Sequence, residues 1–207
     1  MPHPFDAILF DLLTGLLDSW SLWNRVAGDA ESGRLWRLRY LRLCYGAGDY
    51  RPWDSLVAKA ATDVGLPEST ATELLSAWDR LEPWPEVPEV LRDLGVGKIG
   101  VVTNCSEALA LRAAQRVGVP LSVVVSAERA GAYKPDPRPY RLALTELDLQ
   151  PQRVLFVAGS PSDIGGASEV GMPVYWHNRL GLAGGAPDQL EGESKDLWSL
   201  RDWALSF

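Results

Sequence analysis

Cysteine and histidine are scarce in this chain. Its 207 residues include 2 Cys, Cys44 and Cys105, and 2 His, His3 and His177. Two thiols are too few for a disulfide framework and fit a reducing cytoplasm. Two histidines leave little material for a histidine-based triad or a histidine-rich metal centre. His177, after Val174-Tyr175-Trp176, reads as a loop residue. Cys105 has no histidine close in sequence to activate a thiolate, so it is expected to be structural. Long apolar runs are also missing: none approaches the roughly 18 residues that span a bilayer. The segment Met1-Pro2-His3-Pro4-Phe5-Asp6 has no basic stretch before an apolar one, so no secretory signal is expected. Positive charge is in deficit, with 20 Lys+Arg against 27 Asp+Glu, a net charge of -7 and a pI near 4.9. That balance argues against a nucleic-acid surface. The basic cluster from Arg34 to Arg42 is one helix long and makes no binding stripe.

What is present is apolar residue, 46% of the chain, enough for one sizeable core and a small inserted lobe. Ala7-Ile8-Leu9-Phe10 reads as a buried strand. Residues 17 to 82 carry helical periodicity and no convincing strand, with Gly46-Ala47-Gly48 and Gly65-Leu66-Pro67 as breaks. Glu82-Pro83-Trp84-Pro85-Glu86-Val87-Pro88 reads as a linker. Strands and helices then alternate over 99–102, 107–117, 121–125, 137–148, 154–157, 163–170 and 174–176. Such alternation predicts an α/β fold, a doubly wound parallel sheet with helices on both faces. Residues 1–16 and 83–207 would form the core domain, and residues 17–82 a helical cap inserted after the first strand. The stretch Gly181-Leu182-Ala183-Gly184-Gly185-Ala186-Pro187 is expected to be a loop before a short helix near Leu197 to Leu205. No internal repeat or low-complexity segment is visible. Of the 9 tryptophans, Trp20, Trp23, Trp36, Trp53 and Trp78 fall in the helical stretch. Helix packing is the expected role for most, with some free to wall a small apolar pocket.

Four polar groups stand just past the ends of apolar runs: Asp11, Thr103-Asn104, Lys134 and Asp163. Each alone is more simply a turn former, a loop residue or a helix N-cap. In an open parallel sheet, however, the carboxyl ends of the strands line one crevice, so these residues would converge there on a ligand. A separate signal comes from the helix carrying Arg37. At 100° per residue, Arg37 falls among Tyr40, Leu41 and Cys44, whereas Arg39 and Arg42 fall beside Leu35 and Leu38. An arginine on a largely apolar face is either a snorkelling side chain or a residue with a functional role.

In order, Phe10-Asp11-x-x-Thr14-Gly15, Val102-Thr103-Asn104, Lys134-Pro135-Asp136-Pro137 and Val157-Ala158-Gly159-Ser160-Pro161-Ser162-Asp163 resemble the four motifs of the haloacid dehalogenase-like superfamily. The superfamily's phosphatases carry an acidic residue two positions after the nucleophile and another in the fourth motif, which helps hold magnesium. Leu13 and Gly159 stand there and supply no carboxylate for that hard ion, although the Leu13 carbonyl could still ligate one. The L-2-haloacid dehalogenase branch needs no metal, and two features are similar to it: Trp36-Arg37, and Lys134-Pro135-Asp136-Pro137-Arg138-Pro139-Tyr140.

The resemblance implies a two-step mechanism with no cofactor and no metal. Asp11 is the nucleophile, and Lys134 holds it ionised. Thr103 helps to fix it, and Asp163 orients Lys134 and the hydrolytic water. Substrate contacts fall to Arg37, Asn104, Thr14, Tyr140 and Ser160, with Arg37 gripping the carboxylate or the departing halide. The expected partners are a small 2-haloacid and halide, with no nucleic acid and no membrane. Nothing fixes oligomeric state, and a homodimer stays open. Three departures from the family pattern touch the site: Thr14-Gly15 stands where the family has Gly-Thr, Leu13 replaces an aromatic residue, and Ala158 and Ser160 replace a serine and an asparagine. The alternatives are a phosphatase of the same fold acting on a small phosphorylated metabolite and a non-catalytic anion binder.

Overall fold

A computed structural model describes residues 4–184, 188 and 190–207. His3 and the Gly185-Ala186-Pro187 part of the expected loop lie outside them. The chain opens with β1 (Ala7–Asp11). Four helices follow: α1 (Ser19–Ala27), α2 (Ala30–Tyr45), α3 (Trp53–Asp63) and α4 (Ser69–Ser76). After α5 (Val87–Asp93) come β2 (Lys98–Thr103), α6 (Glu107–Ala114), β3 (Val123–Ser126), α7 (Ala127–Ala130) and α8 (Pro137–Leu147). The remainder is β4 (Val154–Ala158), α9 (Pro161–Glu169), β5 (Val174–His177), β6 (Leu190–Ser194) and α10 (Leu197–Ala204).

The six strands form one sheet in the order β3-β2-β1-β4-β5-β6, and every pairing is parallel. This is the doubly wound α/β class expected from the alternation. Continuous apolar runs suit it, because helices cover both faces of the sheet. In β1, Ile8 and Phe10 enter one apolar cluster while Ala7 and Leu9 enter the other. β4 divides likewise, Leu155 and Val157 against Val154, Phe156 and Ala158.

Two details differ from the sequence reading. β6, Leu190-Glu191-Gly192-Glu193-Ser194, extends the sheet between the expected loop and the last helix, where no strand was expected. His177 is not a loop residue: it is the last residue of β5 and fully buried. The apolar run stops at Trp176 while the pairing continues through His177, opposite Ser194.

The helical stretch before α5 holds, among the described residues, no strand beyond the isolated bridges Leu17 to Pro83 and Asp49 to Ala132. Its first two helices begin at side-chain caps. Asp18 accepts from the Ser21 N–H at 3.0 Å, and Asp29 accepts from Glu31 and Ser32 N–H groups at 2.9 Å each. Gly28, at φ 94°, ends α1 in the left-handed conformation that glycine adopts without steric cost. Trp23, Trp36, Trp53 and Trp78 are fully buried and pack ring against ring, with Trp23 and Trp36 centroids 4.4 Å apart. No helix among the described residues is long and apolar enough to cross a membrane.

Candidate active site

β1 is central in the sheet, flanked by β2 and β4, so its last residue, Asp11, opens between their carboxyl ends. The chain leaves it in a single π-helical turn, Leu12–Leu16, which Asp11 itself caps. Its Oδ2 accepts from the Thr14 N–H at 2.9 Å and the Gly15 N–H at 3.1 Å, and its Oδ1 accepts from Lys134 Nζ at 2.8 Å. The residue is only 7% exposed. Burial alone would raise its pKa, but the Lys134 charge and the three hydrogen bonds outweigh it and hold the group below the usual carboxylate range.

Lys134, 1% exposed, also lies 3.1 Å from Asp163 Oδ1. Burial pulls its pKa down, while the two carboxylates push it up and prevail, so the ammonium stays charged. Asp163, in the first turn of α9, moves the other way. Its burial, reinforced by the nearby Asp11, raises its pKa against the pull of Lys134. It accepts from Ser160 Oγ at 3.1 Å and lies 3.4 Å from the Tyr140 hydroxyl. Tyr140 is wholly buried and its hydroxyl meets Asp163.

Arg37 reaches the same place from α2 and is 4% exposed. Its Nη2 donates to Thr14 Oγ1 at 2.9 Å and to the Leu13 carbonyl at 3.5 Å, and its Nη1 donates to Ser19 Oγ. The guanidinium lies 4.4 Å from the centroid of the Trp20 ring. Burial lowers its pKa to about 10, with Asp11 opposing the shift. Thr14, one position earlier than the family's hydroxyl, thus meets the arginine, while the Gly15 amide serves the nucleophile.

Asn104 bridges elements: its Oδ1 accepts from the Lys134 N–H at 2.7 Å and its Nδ2 donates to the Lys134 carbonyl at 3.0 Å. These bonds fix the backbone from which the lysine projects. Thr103 is fully buried at the end of β2, its hydroxyl 3.8 Å from Cys105 Sγ. Burial pushes the Cys105 thiol pKa up strongly, so it is no nucleophile at neutral pH.

Asp11, Thr14, Arg37, Asn104, Lys134, Ser160 and Asp163 line one cavity of about 310 Å³, together with Trp20, Leu38 and Leu41. Thr103 and Tyr140 stand behind its wall. The sequence reading did not identify Ser19 or the site role of His177. Ser19 Oγ donates to the Leu13 carbonyl, and His177 Nδ1 lies 2.9 Å from the Gly15 carbonyl. Neither carries a spacing signal, since each acts on the backbone of the turn after β1.

A divalent metal does not fit this set. The Leu13 carbonyl already receives bonds from Arg37 and Ser19, and Leu13 itself is apolar. A Cβ on Gly159 would stand 2.5 Å from Asp11 Oδ2. Among the described residues, no group of three His, Cys, Asp or Glu side chains could hold an ion.

The fold and the buried aspartate-lysine-aspartate array define a haloacid dehalogenase-like hydrolase. The model of that family matches residues 5–171, and the chain belongs to it. The (S)-2-haloacid dehalogenase H-109 of Pseudomonas putida is 30% identical over 98% of this chain and 99% of its own. The (S)-2-haloacid dehalogenase 1 of Pseudomonas sp. (strain CBS-3) is 31% identical over 86% of each. A solved dehalogenase with an intermediate complex superposes with a TM-score of 0.85 at 26% identity, covering 98% of both chains.

Proposed function

We propose that this chain hydrolyses small (S)-2-haloacids through an aspartyl ester on Asp11, without a metal. The observation that carries the reading is a buried carboxylate held ionised in the same cavity as a buried guanidinium, with the apolar Leu13 two residues after the carboxylate. An aspartyl oxygen would attack the halogen-bearing carbon from behind. The carbon-oxygen bond forms as the carbon-halogen bond breaks, and halide leaves with the electron pair. A halide needs no general acid, so Leu13 is no defect. Arg37, in the cap formed by residues 17–82, would hold the substrate carboxylate or the departing halide, and Asn104 and Thr14 would complete that end of the site. Water would then add to the Asp11 carbonyl carbon, giving its proton to the Asp163 carboxylate, which returns it to the departing 2-hydroxyacid oxygen, while the Lys134 ammonium stays charged and holds both carboxylates in place. Collapse returns the carboxylate and releases the 2-hydroxyacid. The neighbouring (S)-2-haloacid dehalogenases support this reading, and Leu13 and Gly159 count against the phosphatase alternative.

The test is halide release from (S)-2-chloropropionate beside a panel of phosphomonoesters, each with magnesium and with a chelator. Chelator-insensitive halide release is expected. Phosphate release that requires magnesium, without halide release, would favour the phosphatase.

A further inference from the structure

We propose that this site is built for 2-haloacids bearing a medium-length aliphatic chain, such as 2-bromohexanoate, in preference to haloacetate or 2-halopropionate. The inference rests on the dehalogenation reading above and concerns the part of the cavity that the reaction does not use.

The reacting centre needs only the floor of the cavity: Asp11 and Lys134, with Arg37 and Asn104 for the carboxylate and halide. The cavity volume of about 310 Å³ is room for many more atoms than a haloacetate brings. Most of the wall above the floor is hydrocarbon. Leu13 and Trp20 are buried against it, Leu38 and Leu41 are half-buried, and Leu182 closes the opposite side. The helix explains the apolar wall. Arg37, Leu38, Leu41, Arg42 and Tyr45 fall within one face of α2 at 100° per residue, so the residue that grips the anion and the leucines that line the way in are set side by side. Arg42 and Tyr45, both exposed, put polar groups at the mouth.

A haloacetate would leave this upper volume to waters facing leucines, which neither donate nor accept. Replacing such poorly held water by an apolar group favours binding. A chain would also shield Asp11 and Lys134 from bulk water, so part of its binding energy is expressed in turnover and not only in capture.

The experiment compares kcat/KM for 2-bromopropionate, 2-bromobutyrate, 2-bromopentanoate and 2-bromohexanoate on the full chain. Full burial of a methylene corresponds to about fourfold, so a rise of up to about sixtyfold is expected across the series. As a second measurement, competitive inhibition by unhalogenated propionate, butyrate, pentanoate and hexanoate should tighten in the same order. Leu41→Trp, which fills the wall, should lower the hexanoate-to-propionate preference. Halide release that is flat or falls with chain length, with inhibition constants that do not tighten, would overturn the inference and leave the reaction intact. Halide release from no member, haloacetate included, would overturn the reaction and this inference with it.

Discussion

Replacing Lys134 by methionine tests the electrostatic reading of the site most directly. Methionine keeps most of the volume of the side chain and removes its charge. Two carboxylates then face each other in a nearly dry site, Asp11 having lost its 2.8 Å partner and Asp163 its 3.1 Å partner. Removing one member of a buried ion pair typically costs about 3–5 kcal/mol. For a chain of this size that is a fall in Tm of about 6–20 °C. The pH dependence separates this cause from lost packing. Without the lysine, burial and mutual repulsion raise both folded-state carboxyl pKa values above their unfolded value. A group so raised favours the folded state below its unfolded pKa and loses that contribution as pH rises through the folded one. The deficit of the variant should therefore be larger at pH 8 than at pH 5. In the parent chain Asp11 behaves oppositely: its pKa is lowered, so its contribution is present above the ordinary carboxylate range and lost as pH falls. Urea unfolding of both proteins at the two pH values gives the comparison, and Asp163→Asn added to Lys134→Met should recover part of the loss at pH 8. A deficit equal at both pH values, with no recovery in the double variant, would refute the argument.

Asp11→Asn should abolish halide release, because a neutral amide is a poor nucleophile, while an unreactive 2-hydroxyacid still binds; equilibrium binding and a halide electrode read the two effects. Arg37→Ala should raise KM roughly ten- to hundredfold, the worth of hydrogen bonds to a charged group, with Arg37→Lys between the two because a point charge cannot reproduce the guanidinium fork. Burial pulls the Arg37 pKa down without discharging the guanidinium, so kcat/KM should show no loss of anion binding as pH rises from 6 to 9. Gly159→Ala should reduce turnover far more than Tm, because its Cβ would stand 2.5 Å from Asp11 Oδ2 and 2.8 Å from the Gly15 nitrogen; turnover within twofold of the parent would show that the turn after β1 yields freely.

The parallel sheet was legible because buried strands write themselves as apolar runs ended by polar or glycine residues, as Ala7–Phe10 and Val154–Val157 do. β6 was not: Leu190-Glu191-Gly192-Glu193-Ser194 lies at the sheet edge, is mostly polar and offers no buried face to impose a pattern. At the site, Asp11 could be picked out by its place at a strand end and its motif, and Lys134 and Asp163 by their motifs, since α7 separates Lys134 from β3 and Asp163 lies in the first turn of α9. The bonds made by Thr14 and Asn104 could not. The Thr14 hydroxyl meets Arg37, and the Asn104 amide spans to the Lys134 backbone, which depends on how the turn after β1 winds and where the loop before α8 crosses it. Ser19 and His177 act through carbonyls of that turn, and a contact to backbone leaves no trace in the residue type of its partner.

Asp11 and Lys134 stand 123 positions apart in the chain, and this separation sets the timetable of synthesis. A ribosome adds about 5–20 residues per second, so the nucleophile is made some 6–25 s before the cation that neutralises it, and β4, the neighbour that completes its burial, comes later still. During that interval β1 carries an acid it cannot bury in charged form. Of the two neighbours of β1, β2 is complete at Thr103, but β4 is not complete until Ala158, so the carboxylate can be flanked on both sides only after that point in the chain.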